Sequence, residues 1–179
     1  IGPAIHIAND GDTVHLLEGD FVERIDLSNK QITLKGTIDL KTGEHLSRLI
    51  PDPSEDASGA LELSTTPCII EDIIITGVYT GSSPTSAGGV FCNSSASTFN
   101  NCIIDSCVGV WGGGVYVYGS GEALPSFTDC QFINNEAYFG AAIFIRNTSV
   151  IGTVTLTGCI FESNTASTGT GGIYISAAS

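Results

Sequence analysis

The chain is predicted to be all-β, a parallel β-helix with three short strands per coil, and three observations carry that expectation. First, three segments align without gaps: Cys102-Ile-Ile-Asp-Ser-Cys107, Cys130-Gln-Phe-Ile-Asn-Asn135 and Cys159-Ile-Phe-Glu-Ser-Asn164. Such internal self-similarity is the mark of a repeat architecture. Second, each is followed, in phase, by a small-residue corner and an apolar strand: Gly113-Gly114-Val-Tyr-Val117, Ala141-Ala142-Ile-Phe-Ile145 and Gly171-Gly172-Ile-Tyr-Ile175, with Gly88-Gly89-Val-Phe-Cys92 one coil earlier. Third, no segment shows the apolar spacing of a helix, and β-branched residues dominate.

Taken in order, residues 1–9 suit a short helix capping the first coil. Asp10–Gly19 reads as turn, strand, turn, and Ile25-Asp-Leu27 and Gln31–Gly36 as alternating strands around Ser28-Asn29-Lys30. Residues 39–64, with Pro51, Pro53 and Gly59, are expected to form a long excursion loop. Residues 65–179 hold the repeated coils. Thr98-Phe99, Ser126-Phe127 and Thr155-Leu156 supply a strand before each cysteine, and Asn100-Asn101, Thr128-Asp129 and Thr157-Gly158 a corner that tolerates left-handed geometry. The whole of 1–179 is read as one domain, and the lack of any Met as the sign of a longer or processed chain.

The net charge of −13, with six Lys and Arg in total, excludes a nucleic-acid partner, because no basic patch could displace phosphate counterions. An anionic membrane or a polyacidic glycan is repelled at long range as well. No apolar run reaches the length of a membrane span. Six cysteines without a CxxC pair, and His confined to the first 45 residues, leave a zinc site unsupported. No cofactor and no metal are expected.

Ala4-Ile5, Ala8–Val14, Gly19 and Ile32–Gly36 resemble the opening of pectate-lyase-like β-helix proteins. Phe132-Ile-Asn-Asn135, Phe161-Glu-Ser-Asn164, Gly-Gly-Val115 and Gly-Gly-Ile173 are similar to the FxxN and GGAI repeats of polymorphic outer-membrane proteins. The first resemblance covers about residues 1–36 and the second about 88–176. Together they imply a right-handed coil and an extracellular role, often adhesion.

Within the coils, Cys102, Cys130 and Cys159 are expected to stack inward, with Cys68 extending the column and Ile104, Phe132 and Phe161 two residues on facing the same way. These thiols should be free, and Cys92 and Cys107, outside the column, are the disulfide candidates. Asn135 and Asn164 should turn their amides inward to satisfy corner carbonyls, in the place that Cys107 takes one coil earlier. In the strand after each small-residue corner, one alternate set is aliphatic and belongs inside. The other places Phe91, Tyr116, Phe144 and Tyr174 outside as an aromatic ladder, with Tyr118 and Arg146 beside it. This strip is the expected contact face for another copy of the chain or for a surface glycan.

Catalysis has little support in the sequence. Asp105 and Glu162 share a column, but Ile133 separates them, and two coils amount to roughly 10 Å. Asp10, Asp12 and Asp20, or Asp52, Glu55 and Asp56, lack calcium-loop spacing and suit turns better. Asn93-Ser-Ser and Asn147-Thr-Ser are glycosylation sequons. The sequence therefore points to a non-catalytic extracellular or cell-surface module with a structural, adhesive or assembly role. The rivals are a fragment of a polysaccharide lyase or hydrolase and a carbohydrate-binding β-helix.

Overall fold

A computed structural model describes residues 1–52, 59–78, 87–119, 124–147 and 152–177. Helix α1 (Gly2–Ile7) opens the chain, with Pro3 in its first turn and Ile5 buried against the first coil. Coil 1 then contributes β1 (Thr13–His15), β2 (Gly19–Val22) and β3 (Ile25–Asp26). Coil 2 follows with β4 (Thr33–Lys35), β5 (Ser47–Ile50) and β6 (Leu61–Ser64). Coil 3 has β7 (Ile69–Glu71), β8 (Ile74–Ile75) and β9 (Val90–Asn93), and coil 4 has β10 (Thr98–Asn100), β11 (Ile103–Asp105) and β12 (Val115–Gly119). Coil 5 runs through β13 (Ser126–Thr128), β14 (Gln131–Ile133), β15 (Glu136–Ala137) and β16 (Ile143–Asn147). Coil 6 runs through β17 (Thr155–Thr157), β18 (Ile160–Glu162), β19 (Thr165–Ala166) and β20 (Ile173–Ala177).

Like strands of successive coils pair in parallel and build three 6-stranded sheets, β1-β4-β7-β10-β13-β17, β2-β5-β8-β11-β14-β18 and β3-β6-β9-β12-β16-β20, with β15-β19 as a small fourth. The three-strand coil expected from the repeats is the observed one. Residues 39–64, expected as an excursion, instead carry β5 and β6: Ser47–Ile50 pairs with Gly19–Val22, and Leu61 and Glu62 pair with Ile25 and Asp26. Sequence alone hides these strands because the turns around them differ in length from those of the later coils. Among the described residues of this stretch, a short hairpin is closed by an antiparallel bridge between Ile38 and His45, whose Nε2 donates to the Asn101 carbonyl at 2.6 Å; residues 53–58 lie outside the described residues.

Corners are made by single residues with positive φ. Asp72, Asn101, Asp129 and Gly158 stack between the first and second sheets, and Ser106, Asn134 and Ser163 after the second. Their φ values of 47° to 65° lie in the left-handed region. Short polar side chains that bond locally, or glycine, carry that conformation at least cost. The Asn101 side-chain Nδ2 donates to Asp72 Oδ1 at 2.9 Å, which joins two rungs of the corner.

The interior is a column of stacked layers. Phe99 and Phe127 stack at 4.8 Å, as do Phe132 and Phe161. Ile104 and Phe132 are fully buried in one register with Ile75. Full burial of side chains of this size stabilises by about 1.5–3 kcal/mol each. Interior positions of coil 6 have a neighbouring coil on one side, and Phe161 is 38 % and Ile175 68 % exposed.

Cys102, Cys130 and Cys159 occupy successive rungs at the first corner, where each Sγ lies 3.4–3.6 Å from the carbonyls of the previous coil and of its own strand end. The six cysteines are free. Cys68 does not extend this column. It precedes β7, donates its N–H to Ser97 Oγ at 2.9 Å, and Ile73 holds the ladder position in coil 3. Its apparent match to the repeat, Cys-Ile-Ile-acid, is out of register by one strand. Cys92 and Cys107, the expected disulfide candidates, are also free and fully buried. Cys92 points inward between Leu63 and Val117, and Cys107 Sγ faces the Ile75 carbonyl.

Asn135 is fully buried at the corner after the second sheet. Its Oδ1 accepts from the Cys107 N–H at 3.0 Å, and its Nδ2 donates to the Ile104 carbonyl at 2.9 Å. Asn164 repeats the arrangement, accepting from Asn135 N–H and donating to the Phe132 carbonyl.

Candidate binding face on the third sheet

The outward residues of the third sheet fall into two columns. Phe91, Tyr116, Phe144 and Tyr174 are in register, and Asn93, Tyr118, Arg146 and Ser176 are in register beside them. Successive ring centroids in the aromatic column lie 5.4, 5.3 and 5.6 Å apart, the pairs being tilted, edge-on and stacked in turn.

This ladder is not the exposed strip expected of it. Tyr116 and Phe144 are each 2 % exposed, and Phe91 and Tyr174 are half-buried. Their cover is a second aromatic layer. Trp111 and Phe139 pair across a parallel bridge and stack at 5.1 Å and 6°. Trp111 lies 5.0 Å from Phe144 and Phe139 lies 5.1 Å from Tyr174, with Ala87 completing a small core outside the main one.

The local sequence explains the fold-back. Each covering ring precedes a glycine with positive φ, Gly112 at 68° and Gly140 at 56°, so the chain reverses and lays the ring over the strand that follows. At Gly112 a Cβ would meet the Val115 carbonyl oxygen at 2.1 Å, so no larger residue fits. In coil 6 Thr170 holds the place of Gly140, and Gly169 stands where the covering ring would be, so that a Cβ there would press on the Phe139 ring at 2.7 Å. The pattern Trp-Gly-Gly-Gly-Val beside Phe-Gly-Ala-Ala-Ile carries this second layer, but only the residues after the glycine enter the strand repeat.

What stays accessible lies at the edge of the cover. Tyr118 and Arg146 are exposed. A cleft of about 240 Å³ is lined by Trp111, Phe144, Arg146 and Ser176. Burial pushes the Tyr116 phenol above its ordinary pKa, and the nearby Arg146 guanidinium draws it part of the way back. The Arg146 backbone is fixed within a strand paired on both sides.

Other ionisable groups are dispersed. Asp105, Ile133 and Glu162 stand in one column, so the two acids are two rungs apart, and Asp105 accepts from Ser106 Oγ and Asn134 Nδ2. Asp10 and Asp12 accept turn N–H groups, those of Gln31 and Asn9. Glu55 and Asp56 lie outside the described residues. The densest polar set was not legible in the sequence, because a long connection separates its rungs. Lys35 Nζ sits 3.0 Å from Glu71 and 3.4 Å from Asp72, and Asn100 Nδ2 donates to Glu71. Both carboxylates, Glu71 first, hold the Lys35 ammonium above its usual pKa. Among the described residues no group of three His, Cys, Asp or Glu is placed to hold a metal ion. No helix among them is long and apolar enough to cross a membrane. Asn93 is half-buried next to Ser94, and the Asn147 side chain lies outside the described residues.

Among curated proteins the sequence has no match. The solved structure of a pectin methylesterase variant in complex with a hexasaccharide is similar in fold, with a TM-score of 0.52 and 10 % sequence identity over 94 % of this chain. The chain spans 64 % of that structure's length. The family model described as the right handed beta helix region matches residues 55–179, more than half of the chain. With its parallel sheets, stacked interior and inward amide ladder, the chain belongs to the right-handed β-helix family.

Proposed function

We propose that the chain is a non-catalytic extracellular module that adheres to glycan through the edge of its third sheet. The observation that carries this reading is the cleft in which the half-buried Trp111 ring, laid over Phe144, meets a guanidinium, Arg146, and a hydroxyl, Ser176. Sugar rings present apolar C–H faces that pack on aromatic rings, and hydroxyls that accept from a guanidinium. Small-ligand sites combine an apolar lining with a few placed polar groups in the same way. The fold supports the role, because a ladder of paired strands holds these side chains on rigid backbone. An aromatic column buried beneath Trp111 and Phe139 contributes stiffness rather than contact area. The expectation that the column itself is the contact face is withdrawn.

Turnover is not favoured by the arrangement of acids. Asp105 and Glu162 are separated by Ile133, and neither belongs to a close carboxylate pair. A second reading, polysaccharide-active enzyme, draws on the Lys35–Glu71–Asp72 set, where a cation and two carboxylates share an outer face. The pectin methylesterase likeness is one of fold and does not choose between the readings. The two separate in one assay. The protein is incubated with a panel of neutral and acidic polysaccharides, and retention on the polymer, reducing ends, released methanol and unsaturated product are followed. Retention without product supports adhesion. Product that disappears in Glu71→Gln would establish the enzyme instead.

A further inference from the structure

Among the described residues Arg146, like Lys30 and Lys41, makes no ion pair with a carboxylate, and it alone of these three lines a cleft beside the Trp111 ring. It is the sole Lys or Arg after Arg48, in a sequence of net charge −13. Arg24, Lys35 and Arg48 each lie against a carboxylate: Glu62, the pair Glu71 and Asp72, and Asp20. Among the described residues, Arg146 is flanked in its column by Tyr118 and Ser176, with the Tyr116 phenol nearby. A guanidinium presents five donors in a planar fork. That fork matches the geometry of a carboxylate.

The cleft around it, about 240 Å³ between Trp111, Phe144 and Ser176, has room for a single ring rather than a folded chain. Two scales of charge therefore act on a ligand. At long range the acidic chain repels a polyanion. At contact range the guanidinium, which meets no carboxylate among the described residues and stands beside Trp111, attracts one anionic group. Only a ligand with an isolated acidic group on an otherwise neutral body satisfies both.

We propose that the Trp111–Phe144–Arg146–Ser176 cleft is a subsite for a carboxylate-bearing sugar residue, present singly or at the end of an otherwise neutral glycan. The ring packs against the half-buried Trp111 side chain, the carboxylate takes the Arg146 fork, and Ser176 bonds a ring hydroxyl. This rests on the glycan-adhesion reading above and adds its specificity. Dense polyuronates are disfavoured, since each further carboxylate adds repulsion and gains no second cation.

The test uses the whole chain and matched oligosaccharides: a neutral one, the same one ending in a single hexuronic acid, its carboxyl-reduced analogue, its sulfated analogue, and oligogalacturonate. Affinities are read by calorimetry. The expected result is that the singly acidic oligosaccharide binds about tenfold or more tighter than the neutral and reduced ones, a preference worth one charge-assisted contact. In Arg146→Gln that preference collapses to about onefold, with binding of the neutral oligosaccharide weakened by a smaller factor than that of the acidic one. Arg146→Lys serves as a folded control that keeps charge and loses the fork. Equal binding of acidic and neutral oligosaccharides overturns the subsite and leaves glycan adhesion standing, as does a preference that survives Arg146→Gln. Sulfate binding better than carboxylate overturns the assignment of the anion. No binding to any of the set overturns both readings.

Discussion

Asn135 and Asn164 are joined side chain to side chain across one coil step: Asn135 Nδ2 donates to Asn164 Oδ1 at 2.9 Å. The Asn164 Oδ1 also accepts the Asn135 N–H at 3.0 Å, so one oxygen serves two donors. Because the corner bends the chain away from its ladder, these amides supply the partners that the backbone lacks there. Replacing Asn135 by Leu removes the acceptor of the Cys107 N–H and the donor to the Ile104 carbonyl, both in a dry interior. It should cost on the order of 1–3 kcal/mol in chemical denaturation. Asn164→Leu should cost less, since Asn164 is more exposed. Equal stability of Asn135→Leu and wild type contradicts the inward register.

Thiol chemistry gives an independent check on the same interior. Burial pushes the Cys92, Cys102 and Cys107 thiols well above their ordinary range, so they stay protonated at neutral pH. The thiolate is the reactive form. Native protein at pH 8 should therefore resist iodoacetamide at these three positions. Unfolded protein should take up six labels without prior reduction. A peptide linking Cys102 to Cys130, or Cys92 to Cys107, in mass spectrometry contradicts the arrangement.

The second aromatic layer depends on one backbone conformation. Gly112→Ala places a Cβ on the Val115 carbonyl at a positive φ and should destabilise by more than about 1 kcal/mol. Trp111 is the single Trp of the chain, so its emission reports the cover directly. A red shift is expected in Gly112→Ala and in Phe139→Ala. Unshifted emission in both places Trp111 elsewhere.

Beneath that cover, Phe144 behaves as a core residue. Phe144→Ala should cost about 3 kcal/mol, near the lower end for a buried ring, with loss of near-ultraviolet circular dichroism. The change would be within about 0.5 kcal/mol if the ring were a surface contact.

Much of this fold was legible in the sequence because a β-helix repeats its physics. Cys102, Cys130 and Cys159, with Ile104, Phe132 and Phe161, recur once per coil and period-two alternation turned them inward, while Asn135 and Asn164 were placed inward by the unpaired carbonyls of their corner. Coil 2 was not legible, because β5 and β6 are flanked by turns of irregular length and lack the leading cysteine. Cys68 misled because four residues resembled the repeat while lying one strand away. The aromatic column was placed on the correct face, yet its exposure was misjudged. Alternation along a strand says which way a ring points, and what lies over it is decided by a fold-back at Gly112 and Gly140 that only positive φ reveals. The Lys35–Glu71–Asp72 contact needed a register across a connection whose length sequence could not convert into rungs.

The account's central claim is glycan adhesion without turnover at the Arg146 edge, and a single titration addresses it. The intact chain is titrated with an acid-terminated oligosaccharide while Trp111 emission and released product are followed together. A saturable change in Trp111 emission with no product is expected, with its midpoint moved to about tenfold or more higher concentration in Arg146→Gln. Binding that leaves Trp111 emission untouched, or product that grows with time, would contradict it.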